Sequence, residues 1–355
     1  VSDERWLRLI DEAHEMGIPI VTIAGGGEPF VRTKLIQQLC VKIKSYGMEG
    51  FIQTNGTLIS DATIETLIEC KWDHVTISID APNADVNDVI REKGVFDKTV
   101  KTLERLKEIK RKHGSNLPEA AIHMTVTALN YGYLKEMVDF CLEHGVEMIS
   151  ASPLLEPGLE NTEYIMNEEQ RLALPDKVHE VIRYAEEKGL LHTFHNLFQN
   201  EHECDCTAIM ACVQKQQCTC PKHLADVHCL EPWVAINVYP SGQIMPCCFF
   251  CEPDAESIRD KSLEEVWNGP YLTEFRNRMR SEHIPEYCNG CYYPHVSKHV
   301  DLKNYVRTLV TQSPEIFPPW YTFPMKVMKS LRTHGVTGGI KRFHEWKNLK
   351  RTLNK

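Results

Sequence analysis

Hydrophobic positions along the first 200 residues switch repeatedly between a helical and a strand-like period. Trp6, Leu9, Ile10 and Ala13 recur at helical spacing behind Ser2, a capping residue, and Gly17 closes the run. Residues 19–24 form a short β-rich run that ends in Gly25-Gly26-Gly27-Glu28-Pro29. A helical stretch carrying Leu35, Leu39 and Ile43 leads to a strand at 49–53, which ends in Thr54-Asn55-Gly56. Ile64, Leu67 and Ile68 mark the next helix, followed by a strand at 74–79 that ends in Asp80. A helix at 95–112 precedes a strand at 121–127, and a helix at 133–143 precedes a strand at 146–150. A further helix is expected at 168–188.

Such βα alternation predicts an α/β fold built on a parallel sheet. The sheet is either doubly wound or curled into a barrel. Five strands are visible, and the helix ahead of the first predicts a sixth strand upstream of Val1. The strand bodies read as apolar. Polar and glycine-rich residues gather where strands end: Gly25 to Glu28, Thr54 with Asn55, Ser78 with Asp80, Thr127 with Asn130, and Ser152-Pro153. In parallel α/β architectures ligands bind at that end, so five decorated ends point to one shared site.

The alternation stops near residue 200. Eleven of the 14 cysteines fall between Cys204 and Cys291, a clustering that favours metal ligation over disulfides. A hairpin is expected where 233–239 alternates, Pro240-Ser241-Gly242 turns, and 243–246 returns to Cys247-Cys248. An amphipathic helix with Leu263, Val266 and Trp267 precedes Cys288-Asn289-Gly290-Cys291, and the tail from about residue 325 is basic. The formal charge of −9 argues against a general nucleic-acid binder. No apolar run is long enough for a transmembrane segment and no secretory signal opens the chain, so a cytoplasmic location is expected.

Several residue patterns carry chemistry. The Gly25–Gly27 run either brings backbone close to a ligand or makes a tight turn. Arg91 is either a carboxylate partner or a solvated charge, and Asp80 either a ligand contact or an N-cap. Cys229, Cys247, Cys288 and Cys291 supply four thiolates on two segments, enough for one [4Fe–4S] cluster or for structural zinc. Cys204, Cys206, Cys212, Cys218 and Cys220 either bind another metal or are surface thiols. Cys248 and Cys251 read as near-cluster bystanders or as a replacement for Cys247, and Cys40, Cys70 and Cys141 as buried small hydrophobes. His295 and His299 read as helix-surface residues ahead of a fourth-ligand role, and the basic tail as a solvated helix face ahead of a dock for an anionic surface or partner.

Gly26-Gly27-Glu28-Pro29, Thr54-Asn55-Gly56, and Ser78-Ile79-Asp80 with Arg91 downstream resemble the landmarks of the radical S-adenosylmethionine (SAM) superfamily. Cys229…Pro232-Trp233, Gly242, Pro246-Cys247-Cys248, the run Ser262 to Asn268, and Cys288-x-x-Cys291 resemble its SPASM/twitch auxiliary domain. The resemblance implies a partial (β/α)6 TIM-like barrel over residues 1–200. A cysteine-rich connector at 201–227, a small α+β SPASM/twitch domain at 228–300 and a basic tail at 301–355 follow. It implies SAM bound by Gly25, Gly26, Gly27, Glu28, Thr54, Asn55, Ser78, Asp80, Arg91 and Thr127, and an auxiliary [4Fe–4S] cluster on Cys229, Cys247, Cys288 and Cys291.

A second [4Fe–4S] cluster is expected on a Cys-x-x-x-Cys-x-x-Cys loop upstream of Val1, so this chain alone is expected to be inactive. No cysteine follows Cys291, which is the shorter twitch pattern with one cluster, as in the radical SAM alcohol dehydrogenases of aminoglycoside biosynthesis. The implied function is hydrogen abstraction by a 5′-deoxyadenosyl radical, leading to oxidation or maturation of a carbohydrate-like small molecule or a peptide. A reducing electron donor such as flavodoxin or ferredoxin would serve it. The alternative is a non-catalytic, degenerate member that binds iron–sulfur or zinc.

Overall fold

Each βα step adds the next strand beside the last. The computed structural model describes residues 1–154, 161–198, 229–247, 255–280, 284–285, 288 and 291. After a leading helix, α1 (Asp3–Glu15), six parallel strands lie in the order in which the chain makes them. They are β1 (Ile20–Ile23), β2 (Glu49–Thr54), β3 (His74–Ser78), β4 (Glu119–Val126), β5 (Met148–Pro153) and β6 (Leu191–His192). The connecting helices are α2 (Thr33–Ser45), α3 (Asp61–Glu69), the pair α4 (Ala84–Ile90) and α5 (Val95–His113), α6 (Leu134–His144) and α7 (Glu168–Lys188). A doubly wound sheet reverses its strand order at a switch point. This sheet has no reversal, so right-handed crossovers lay all its helices on one face, the winding of a barrel.

The sixth strand corrects the expectation of five strands with a sixth only upstream of Val1. It follows α7, and its two residues pair with Met148 and Ile149. So short a run leaves no period for a sequence pattern to register.

Residues paired across parallel strands share a face. Ile77, Ile122 and Ile149 form one row across β3, β4 and β5, and each is 0% exposed beneath the helices. The other face carries a polar row of Ser78, His123 and Ser150, with Thr125 beside Ser152 one step further along. The strand bodies are therefore apolar on one face only, which corrects the reading of them as apolar throughout. Gly50 on β2 accommodates Trp72: a Cβ there would lie 2.1 Å from the indole. Trp72 is fully buried, and its Nε1 donates to the His74 carbonyl at 3.0 Å.

Contacts divide the chain into two units, Ile20–His202 and Val1–Pro19 with Glu203–Lys355. The second unit holds α1, α8 (Glu231–Val234), the antiparallel pair β7 (Asn237–Val238) and β8 (Ile244–Met245), α9 (Leu263–Trp267) and α10 (Pro270–Arg280). The sequence reading placed residues 1–200 together, whereas α1 groups with these C-terminal elements. Its apolar face explains why: Leu9 and Ala13 pack with Ile244, Ile258, Leu263, Val266, Trp267 and Leu272. Arg5 then fixes the docking. Its Nε donates to the Ile258 carbonyl at 2.7 Å, and its Nη2 donates at 3.0 Å to the Lys261 carbonyl and to Glu12. Glu12 in turn accepts the Leu263 N–H at 2.8 Å. Among the described residues, no helix is long and apolar enough to cross a membrane.

Two substitutions test this packing by urea unfolding. Gly50→Ala drives a methyl into the Trp72 ring and is expected to cost about 1–3 kcal/mol; an unchanged midpoint would show that the indole has room to move. Arg5→Ala leaves the Glu12 carboxylate without its cation and the Ile258 and Lys261 carbonyls without their donor, and a loss on the order of 3 kcal/mol is expected. A loss under about 0.5 kcal/mol, the size of an ordinary surface change, would contradict the docking role.

Candidate functional site

The turn after β1 is built by backbone demand. Gly25, Gly26 and Gly27 have φ of 67°, 64° and 114°, conformations that residues with a Cβ rarely adopt. A Cβ on Gly25 or Gly27 would meet nothing within 4 Å, so the constraint is torsional rather than steric. The turn delivers Glu28 to the end of β2. Its carboxylate accepts the Thr54 hydroxyl at 2.7 Å, the Asn55 N–H at 2.8 Å and the Phe30 N–H at 3.0 Å. Glu28 thus ties two strand ends together. Thr54 is 3% exposed, on the helix-covered face, and its hydroxyl also accepts the Gly56 N–H at 3.0 Å.

A second tie joins β3 to β4. Asp80 is 2% exposed; its Oδ1 accepts the Thr125 N–H at 2.8 Å, and its Oδ2 lies 2.8 Å from Arg91 Nε. Arg91 is therefore an ion-pair partner rather than a solvated charge. The N-cap of α4 is Asn83, whose side chain accepts the Val86 N–H at 3.0 Å, so Asp80 does not fill that role. Asn130 is fully buried. Its Nδ2 donates to the carbonyls of Asp80 and Thr125, both at 2.8 Å, and its Oδ1 accepts the Thr127 N–H at 2.7 Å.

These ends surround a cleft of about 420 Å³ lined by Asn55, Asp80, Arg91, Thr125 and Thr127, with Ile90, Glu92, Val95, Leu154 and Tyr164. Of the sequence-predicted residues, the structure brings Asn55, Asp80, Arg91 and Thr127 to this cleft. Gly25, Gly26, Gly27, Glu28, Thr54 and Ser78 do not line it. The first five form the neighbouring brace, and Ser78 pairs with His123 in the sheet. Sequence reasoning missed Thr125 and the apolar wall.

It also missed a polar group beside Asp80. Ser150 Oγ lies 2.7 Å from His123 Nδ1, and Ser152 Oγ lies 3.2 Å from Nε2. Burial holds the imidazole below its ordinary pKa, with the Arg91 charge acting in the same direction and Asp80 opposing it. His123 is thus neutral near pH 7. Period-2 alternation in Met-Ile-Ser-Ala-Ser-Pro was the available signal.

Cys229, Cys247, Cys288 and Cys291 are all half-buried, and no disulfide joins the described cysteines. The Cys291 N–H donates to the Cys288 carbonyl at 3.3 Å, and the Glu231 N–H donates to Cys229 Sγ at 3.5 Å. The Cys288 thiol is pushed up to about 11 by burial, then by the charges of Cys247 and Cys291. Cys247 and Cys291 therefore act on Cys288 through their charge. Among the described residues, no three His, Cys, Asp or Glu side chains gather as a site for a single metal ion. Cys40 and Cys141 are buried in α2 and α6, as their helical spacing suggested. Cys204, Cys206, Cys212, Cys218, Cys220, Cys248, Cys251, His295, His299 and the basic tail lie outside the described residues.

Comparison with known proteins now joins the geometry. Residues 1–141 match the model of the radical SAM superfamily, and residues 229–292 match that of the SPASM iron–sulfur cluster-binding domain. The PqqA peptide cyclase of Granulibacter bethesdensis is 26% identical over 306 residues, 82% of this chain and 71% of that protein. The AdoMet-dependent heme synthase of Oleidesulfovibrio alaskensis is 25% identical over 83% of this chain and 73% of its own length. Among solved structures, SuiB of Streptococcus suis superposes with a TM-score of 0.60 at 20% identity, covering 86% of this chain and 68% of that one. The chain thus carries a radical SAM superfamily domain over residues 1–141 and a SPASM iron–sulfur cluster-binding domain over residues 229–292.

Proposed function

We propose that the chain holds SAM in the cleft at its strand ends and ligates an auxiliary [4Fe–4S] cluster through Cys229, Cys247, Cys288 and Cys291. We further propose that it takes part in radical modification of a peptide or a polar small molecule. The cleft carries this reading. Arg91, braced on Asp80, faces the same 420 Å³ space as Ile90, Val95 and Leu154. A cationic fork beside an apolar wall suits a ligand that joins an amino-acid carboxylate to a nucleoside. Asn55 and Thr127 offer hydrogen-bonding partners for ribose hydroxyls, and the Gly25–Glu28 turn is assigned to the SAM amino group on the family resemblance.

SAM held there would supply, once reduced by an iron–sulfur cluster, a 5′-deoxyadenosyl radical for hydrogen abstraction from the substrate. The chain contributes position: Asp80 aims Arg91, and the Glu28 tie sets the neighbouring strand end. The polar row of His123, Ser150 and Ser152 offers a neutral surface of donors and acceptors on the face not covered by helices. The thiol set fits a cluster as well. Holding Cys288 near two other thiols raises its pKa, and metal ligation offsets that cost by keeping the sulfurs as thiolates. A peptide substrate is supported by the similarity to PqqA peptide cyclase, and a small molecule by that to the heme synthase. Flavodoxin or ferredoxin is the proposed class of electron donor.

Two experiments test the two halves. Anaerobic reconstitution of the chain with iron and sulfide is expected to give about four irons per chain, with Cys288→Ala losing most of them. Zinc in place of iron, or full iron retention in the variant, contradicts the ligand assignment. Calorimetric titration with SAM is expected to show binding that Arg91→Ala weakens about tenfold or more and Arg91→Lys does not restore, because a point charge lacks the planar fork. Equal affinity of all three chains would remove SAM from this cleft.

A further inference from the structure

We infer that Asn87 and Asn130 form a clamp on the backbone of Asp80 that fixes the Arg91 guanidinium in its carboxylate-binding direction before a ligand arrives. The inference deepens, and rests on, the assignment of SAM to the cleft.

The clamp grips both sides of one residue. Asn87 Oδ1 accepts the Asp80 N–H at 2.9 Å, and Asn130 Nδ2 donates to the Asp80 carbonyl at 2.8 Å. Asn87 comes from α4 and Asn130 from the segment after β4, so two separate elements meet on the residue that follows Ile79. Asn87, Asp80 and Asn130 are 1%, 2% and 0% exposed. The peptide groups on both sides of Asp80 are thus anchored, and its carboxylate is held in turn by the Thr125 N–H at 2.8 Å. The remaining oxygen, Oδ2, lies 2.8 Å from Arg91 Nε on the wall of the cleft, an ion pair by proximity rather than an aligned hydrogen bond. Arg91 itself is the residue that directly follows α4, so the helix that supplies Asn87 also delivers the arginine.

A purely local role for Asn130 would need less. Its Oδ1 alone closes the turn at Thr127, through the Thr127 N–H at 2.7 Å and the hydroxyl at 3.2 Å. The Nδ2 bond to Asp80, fifty positions away in the chain, adds nothing to that turn and serves to join the two strand ends. Side chains that freeze a binding group in advance lower the ordering cost of association. Asn87 and Asn130 are thus positioning residues, acting on ligand through Asp80 and Arg91.

The test uses two probes that differ in the amino-acid carboxylate. SAM carries it; 5′-methylthioadenosine keeps the nucleoside and lacks it. Calorimetry on the parent chain, Asn87→Ala and Asn130→Ala is expected to show SAM binding weakened on the order of tenfold in both variants. 5′-Methylthioadenosine binding is expected to change by less than about twofold. Equal weakening of both probes would mean that the asparagines merely support the fold, and unchanged SAM binding in a folded variant would mean that they do not aim Arg91; either overturns the inference alone. A parent chain that fails to bind SAM overturns the reading of the cleft and the inference with it. Thermal melting checks each variant, and if Asn130→Ala does not fold, Asn87→Ala decides.

Discussion

Parallel pairing of all six strands puts their carboxyl ends on one rim. Asn55, Asp80, Thr127 and Leu154 are separated by up to a hundred positions in the chain, yet each follows or ends a strand and so arrives at the same cleft. The helices occupy the opposite role. They bury the row of Ile77, Ile122 and Ile149, which frees the other face for polar groups. A ligand site at the rim therefore needs no special folding solution, only suitable residues where strands stop.

The rim is also tied laterally by side chains, beyond the backbone ladder. Glu28 joins β1 to β2, Asp80 and Asn130 join β3 to β4, and His123 joins β4 to β5 through Ser150 and Ser152. Thr193 continues the series, its hydroxyl accepting the Ala151 N–H at 2.9 Å beside β6. Each tie places a polar group in a poorly hydrated setting where an unmet bond is costly, so the ties hold geometry strongly once made. Glu28 illustrates the consequence. Its three accepted bonds make it a brace in this structure, whereas sequence resemblance alone casts it as a ligand contact.

The alternation of elements was legible because helices and strands here carry strong periods, and strand ends were marked by glycine or by Asn and Asp. Asp80 and Arg91 could be named from sequence, but their mutual ion pair could not. It depends on the register of β3 against β4 and on a short helix, α4, whose seven residues carry little periodic signal. Asn87 was invisible for the same reason. The two-residue β6 has no pattern to read, and the polar face was obscured because β4 runs Ala-Ala-Ile unbroken after Glu119. The leading helix α1 was recognised as a helix, yet its partner cluster of Ile258, Leu263 and Val266 lies some 250 positions away, a distance that no local pattern spans.

The cysteine set follows a different logic from the rim. The rim groups satisfy one another, donor to acceptor. Around Cys288, burial raises the cost of a thiolate, and the charges of Cys247 and Cys291 raise it again. Gathering such groups without a compensating charge is unfavourable, and a nearby cation is a weak remedy, since Arg278 only partly opposes the shift. Under the proposed reading the iron–sulfur cluster is that compensation. Its binding energy is then part of the folding energy of the segment that carries the Cys-x-x-Cys pair. The C-terminal unit thus holds α1 with α9, stabilised by apolar packing and the Arg5–Glu12 pair, beside thiols that the proposed reading assigns to the cluster.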